Sequence, residues 1–167
     1  STLEFTVRGR AGEFRAEADT MAVALRPDRA SVLRIGREAE VRIPEGTIYE
    51  PTFVRPGRGE APQADSGVVV LSPAYRFFDP ATPLFRAVEV TLRARVPRPL
   101  QLHAQLAVRT RRGSLACVGG AYADGAVTAS VRTAGDLVIV ADTLPPAIRP
   151  LFAQGADLTR AEGVRFR

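Results

Sequence analysis

The strongest constraint on this chain is a two-residue alternation of apolar and polar side chains. Across residues 88–96 the even positions are Val88, Val90, Leu92, Ala94 and Val96, and the odd ones are Glu89, Thr91, Arg93 and Arg95. The same phase runs through residues 100–108, with Gln101, His103 and Gln105 on the polar side. Successive side chains of a strand point to opposite faces, so this spacing sets one face on a core and the other in water. Shorter alternations place Leu3, Phe5 and Val7 together, then Met21, Val23 and Leu25, then Val127, Ala129 and Val131. Two continuous apolar runs, residues 68–71 and 137–141, read as strands covered on both faces.

Turn chemistry separates these runs. Asp124-Gly125 suits a type I′ hairpin, because both residues tolerate positive φ. Pro27-Asp28 and Arg112-Gly113 are similar breaks, and Pro97 and Pro99 end a strand because proline offers no ladder donor. Strands recurring roughly every 8–12 residues favour an all-β antiparallel sandwich, immunoglobulin-like or related. Residues 28–40 are the best helix alternative, but Gly36 interrupts them and their apolar positions fit a strand equally well. A single helical turn is a further option within residues 151–162. Residues 55–67 (RPGRGEAPQADSG) carry no apolar period and read as a mobile loop. Residues 144–150 (LPPAIRP) read as a stiff connector, since paired prolines favour extended geometry. Residues 164–167 begin another alternating strand, which must pair with this body or with a neighbouring module.

Composition mainly excludes. The chain has 167 residues, 46% of them hydrophobic and 25% charged, as in an ordinary globular domain. All 23 basic residues are arginine, and there is no lysine. A Walker A loop, the kinase phosphate clamp and a pyridoxal Schiff base each need a lysine. One His and one Cys rule out a zinc site with two histidines and any intrachain disulfide framework. The net charge of +5 raises nucleic acid as a partner, but the arginines are dispersed, with Arg111-Arg112 the longest run. The aromatics do not interleave with them as in a stacking platform, so no nucleic-acid role is expected. The arginines read as solvated outer strand faces, leaving a weak attraction to anionic polymers. No 18-residue apolar stretch exists, so no membrane span is expected. Ser1 opens the chain with neither an initiator Met nor a signal-like region, as expected of a piece of a longer protein.

Few residues offer chemistry. His103 and Cys117 are the only nucleophile–base candidates. A hairpin turning at 110–113 sets Cys117 opposite a residue near Leu106, leaving His103 roughly 10 Å away and out of hydrogen-bond reach. Asp65, Asp79, Asp124 and Asp142 lie in or beside turns, where capping explains them without catalysis. Gly119-Gly120 and Gly125 lack the following helix of a phosphate loop and read as a bulge or a close backbone approach. No metal motif is present, and no cofactor is expected.

Several phrases resemble one family. STLEFTVRG at residues 1–9 resembles the last strand of an immunoglobulin-like repeat. VRIPEGTIYEPTF (41–53), SPAYRFFDPATPL (72–84) and VGGAYADGAVTASVRTAGDLVIVADTLPPAIRPL (118–151) are similar to successive stretches of large envelope proteins of Bacteroidetes-type bacteria. Those proteins carry a lysostaphin-like zinc metallopeptidase domain followed by β-sandwich modules. The resemblance implies structural roles for Pro44, Gly46, Tyr49, Thr82, Pro83, Leu84, Gly135, Asp142, Pro145 and Pro146. Tyr122 stands where the family often has Trp, and Ala134 where it has Phe. The peptidase's zinc site needs H-x-x-x-D and H-x-H, and His103 stands in neither context, so the chain is not expected to be an enzyme. The resemblance further implies that residues 1–9 end a preceding module, 10–142 form the central sandwich, and 143–167 lead into the next. The expected role is a non-catalytic structural or docking module of a peptidoglycan-processing protein, periplasmic, outer-envelope or extracellular. Its expected partners are neighbouring domains and peptidoglycan or another envelope polymer. Two other readings stand beside it. One is a binding module for an anionic or carbohydrate ligand, drawn from the arginines with Tyr49, Tyr75 and Tyr122. The other is a hydrolase working through paired carboxylates.

Overall fold

The computed structural model describes residues 22–64, 67–110 and 112–143. Within them two antiparallel sheets pack face to face over one core, which is the all-β sandwich expected from the alternation. The first sheet runs β11 (Ala121–Ala123), β12 (Ala126–Val131), β8 (Val88–Arg93), β3 (Ala39–Ile43), β2 (Ser31–Ile35). The second runs β10 (Leu115–Gly119), β9 (Ala104–Arg109), β13 (Asp136–Asp142), β7 (Ala74–Arg76), β5 (Gly57–Gly59), with β6 (Val68–Val70) also on β13. A ribbon of β1 (Val23–Leu25) and β4 (Thr52–Val54) completes the fold.

The alternation explains the core directly. Val88, Val90 and Leu92 of β8 are buried while Glu89 and Arg93 are exposed, and β12 buries Val127, Ala129 and Val131 in the same way. The expected hairpin at Asp124-Gly125 forms, with φ of 51° and 79°. Residues 137–141 of β13 are buried on both faces, because β13 lies inside its sheet and a second small apolar cluster of Ala74, Ala107, Val138 and Val140 backs it.

The second apolar run departs from expectation. Val69 is 40% exposed, and among the described residues β6 pairs with β13 alone. Between β6 and β7 the chain stays on β13 through a different contact. Leu71 N–H donates to the Ile139 carbonyl at 2.8 Å, and Ile139 N–H donates to the Ser72 hydroxyl at 2.8 Å. The Ser72 side chain thus takes the place of a backbone acceptor for Ile139, and its hydroxyl proton goes to the carbonyl of Pro73, which itself has no N–H for the ladder.

Of the two options left open for residues 28–40 the strand is taken: they hold β2 and the turn into β3, which passes through Gly36 at positive φ. Three further expectations change. Residues 55–67 are more than a loop, because β5 lies within them and pairs with β7. Residues 100–103 are not strand. Pro97 and Pro99 hold φ at values that suit a first helical turn, and Arg98–His103 forms a 3-10 helix ahead of β9. The β8 ladder also stops at Arg93, before either proline, although Val96 remains buried. Residues 1–9, Met21, Asp65, Pro145, Pro146 and the segments 144–150, 151–162 and 164–167 lie outside the described residues.

The chain changes sheets between β10 and β11 at Gly119-Gly120. A register shift interrupts β10 between Cys117 and Gly119, and Gly120 adopts φ of 103°. A Cβ at Gly120 would lie 2.8 Å from the Thr128 carbonyl oxygen, so the corner requires glycine. This is the bulge and close approach expected from the glycine pair.

Candidate functional site

His103 and Cys117 do not form a dyad. Cys117 pairs with Ala107, and Gly119 rather than Cys117 faces Leu106. His103 is four residues from Ala107, a separation of about 13 Å at strand rise. The thiol is also poorly activated. Burial by neighbouring chain pushes its pKa up, and the negative charge of Asp142 adds to the shift. His103 instead shares a shallow depression of about 280 Å³ with Gly120 and Asp142.

The other carboxylates serve turns. The Asp79 side chain accepts Ala81 N–H at 2.9 Å, and its carbonyl accepts Thr82 N–H at 2.9 Å. Asp124 occupies the positive-φ position of its hairpin, and Asp142 closes β13 opposite Val68. Among the described residues no group of three or more His, Cys, Asp or Glu is placed to hold a metal ion.

Several positions carried over by resemblance are architectural. The Pro44 carbonyl accepts the buried Thr47 hydroxyl at 2.6 Å, and Gly46 N–H donates to Pro27 at 2.8 Å. Tyr49 is 68% exposed and meets Phe85 edge-on, with ring centroids 5.5 Å apart. Pro83 is exposed, while Gly135 is buried at the entry to β13 with φ of 143°. Tyr122 donates its hydroxyl to the Ala94 carbonyl at 3.1 Å and accepts Val96 N–H at 3.4 Å, bridging the stretch where β8 leaves its ladder. Tyr75 is a core residue at 1% exposure. The three tyrosines therefore do not meet on one surface.

Some of the arginines do meet. Many are solvated on outer faces as expected: Arg34 and Arg42 clasp Glu40 at 2.8 and 3.0 Å, and Arg42 reaches Glu89 at 3.5 Å across β3 and β8. At one end of the second sheet, however, an open cleft of about 610 Å³ is lined by Arg55, Arg58, Arg76 and Arg109 with Glu60 and Asp136. Pairing accounts for this convergence. Gly57 faces Arg76 across β5 and β7, Arg76 faces Asp136 across β7 and β13, and Arg109 lies one position beyond the Val108–Leu137 pair. Residues in register across a sheet point to the same face, so Arg76, Asp136 and Arg109 stand in a row. Arg76 binds Asp136 through two contacts of 2.6 and 2.9 Å, and that bonding raises the guanidinium pKa further. The side chains of Arg58 and Arg109 form no hydrogen bond or ion pair among the described residues. Gly57, Gly59 and Ala74 line the same cleft and leave its floor open. Sequence reasoning misses this site because its four arginines come from three separate segments, one of them read as a loop. The one available signal is the G-R-G pattern of β5.

Comparison with known families decides the membership. A model of the Zu5-like domain matches residues 25–142. The chain belongs to the Zu5-like domain family. The match spans the sandwich from β1 to the end of β13, so the Arg-lined cleft and the Gly120 corner both lie within the Zu5-like region. No curated protein matches the chain.

Proposed function

We propose that this Zu5-like chain is a non-catalytic structural and docking module of a cell-envelope protein that processes peptidoglycan. By resemblance that protein is a lysostaphin-like zinc peptidase of Bacteroidetes type. The module works beside neighbouring domains in the periplasm or the outer envelope. One observation supports the reading: several of the described positions that bear the resemblance make turn or packing contacts. Pro44 and Gly46 brace the turn after β3, Tyr49 packs on Phe85, and Gly135 turns the chain into β13. The test removes residues 25–142 from the full reading frame and measures release of soluble muropeptides and retention of the protein in the envelope fraction. The expected result is mislocalised or misdirected processing by a peptidase that remains intact. Unchanged localisation and processing would refute the docking role, and muropeptide release by the isolated chain would refute its non-catalytic character.

A second reading, a binding module for an anionic ligand, is favoured by the convergence of Arg55, Arg58, Arg76 and Arg109 on one cleft. Its test is saturable binding of any small anion at that cleft.

A further inference from the structure

The cleft at the β5 end of the second sheet combines a concave surface, unequal charge and unsatisfied donors. Its volume of about 610 Å³ lies within the range of small-ligand sites. Four arginines face two carboxylates there, so the lining keeps a net positive charge. One guanidinium is already spoken for, since Arg76 holds Asp136 by a two-pronged contact. Arg109 stands on the other side of Asp136 in the same row, and its guanidinium has no hydrogen-bond or ion-pair partner among the described residues. An exposed guanidinium with five donors and no acceptor is suited to a planar oxyanion. The edge strand opposite carries Gly57 and Gly59, which add no side chains to close the space, and Ala74 adds only a methyl group.

The carboxylates already present select among anions. Asp136 and Glu60 repel a second negative charge placed beside them, and this penalty weighs more on a phosphate dianion than on a carboxylate monoanion. The outer edge of β5, unpaired among the described residues, ends the row that holds Arg76, Asp136 and Arg109, and its backbone groups suit a ligand with amide groups. We propose that the cleft binds a short peptide through a free carboxylate, which Arg109 receives beside the Arg76–Asp136 pair while the ligand backbone lies along Gly57–Gly59. The proposal deepens the anionic-ligand reading and does not depend on the peptidase context.

The test uses the full 167-residue chain, with nitrogen-15 labelling of backbone amides and arginine Nε–H groups. Three probes are titrated: the peptide Ala-Glu-Ala-Ala with a free C-terminus, its counterpart Ala-Gln-Ala-Ala-amide without carboxylates, and inorganic phosphate. The free-acid peptide is expected to shift the Arg109 Nε–H and the Gly57 and Gly59 amides saturably, with affinity falling as salt rises. Arg109→Gln is expected to weaken it about tenfold or more, while Arg95→Gln, an exposed arginine away from the cleft, leaves it unchanged. Equal shifts from the amide peptide, or equal affinity in the Arg109→Gln variant, would overturn the proposal. Phosphate binding tighter than the peptide would overturn the carboxylate assignment while sparing the anionic-ligand reading. No shift at the cleft from any probe at millimolar concentration would overturn both.

Discussion

The Ser72 hydroxyl replaces a backbone acceptor in the middle of the second sheet, and removing it tests how the β6–β7 break is tolerated. Ser72 is 6% exposed and Ile139 is fully buried. The hydroxyl accepts Ile139 N–H at 2.8 Å and donates to the Pro73 carbonyl at 2.9 Å. Ser72→Ala keeps the Cβ and removes the oxygen, leaving a core N–H with no partner and no route to water. An orphaned buried donor costs about 1–3 kcal/mol. For a chain of this size, that is a fall in Tm of roughly 2–12 °C. Chemical denaturation would show a lower midpoint at an unchanged m-value, since the surface exposed on unfolding is nearly the same. Amide hydrogen exchange gives the local readout: Ile139 should lose protection beyond the global change, while Val138 and Val140 follow the global change alone. Ser72→Thr retains the oxygen and should retain the Ile139 protection. A Ser72→Ala variant with parental Tm and parental Ile139 protection would refute the view that this hydroxyl completes the ladder.

Three other perturbations follow from specific contacts. Gly113→Ala and Gly120→Ala separate backbone strain from steric clash: both sites have positive φ, but a Cβ meets nothing within 4 Å at Gly113 and meets Thr128 backbone at 2.8 Å at Gly120. Urea denaturation should therefore give a loss of about 1–2 kcal/mol for Gly113→Ala and about 3 kcal/mol or more for Gly120→Ala, and equal losses would refute the corner argument. The Glu40 pKa is lowered by its hydrogen bond from Arg34 and then by that from Arg42. Its contribution to stability is therefore present above its usual value of 4.5 and is lost as pH falls through the lowered folded value. Stability measured between pH 5 and 3 should fall less steeply in Glu40→Gln than in the parent chain, and identical slopes would contradict the assignment. Cys117 should react with iodoacetamide more slowly than free glutathione at pH 7.5, because burial and Asp142 raise its pKa; a faster reaction would mean an activated thiol.

Side-chain pattern makes the centre of this fold legible, and its edges escape because their structure comes from pairing. The strands β8, β12 and β13 carry alternating or continuous apolar runs that only a sheet buries well, and both the runs and the Asp124-Gly125 turn read directly. The strand β5 is Gly-Arg-Gly, with no apolar residue to alternate, and becomes a strand only because β7 presents a free ladder edge to it. The 3-10 helix misleads for the opposite reason. Leu100 and Leu102 keep the strand phase, but Leu102 is 95% exposed, and the φ restriction of Pro97 and Pro99 outweighs the pattern. The His103–Cys117 separation is legible in direction, while its one-residue offset comes from the turn, which closes at Thr110–Ser114 and so sets Cys117 opposite Ala107.

The arginine count has no functional meaning until register is known. An exposed arginine such as Arg95, just past the end of β8, keeps its hydration and contributes little beyond solubility. Arg34 and Arg42 are drawn into a ladder with Glu40 and Glu89 that offsets their charge. Arg109 has the same residue type and similar exposure, yet its register sets it beside Asp136, whose two oxygens already face Arg76, and beside a floor opened by Gly57 and Gly59. The consequence separates composition from geometry. Gly57→Val or Gly59→Val should fill the cleft without changing any charge, whereas Arg95→Gln changes the net charge without touching the cleft. If ligand binding tracks net charge and ignores the glycines, the arginines act as a diffuse polyanion attractant. If it tracks the glycines and Arg109, the site is a built one.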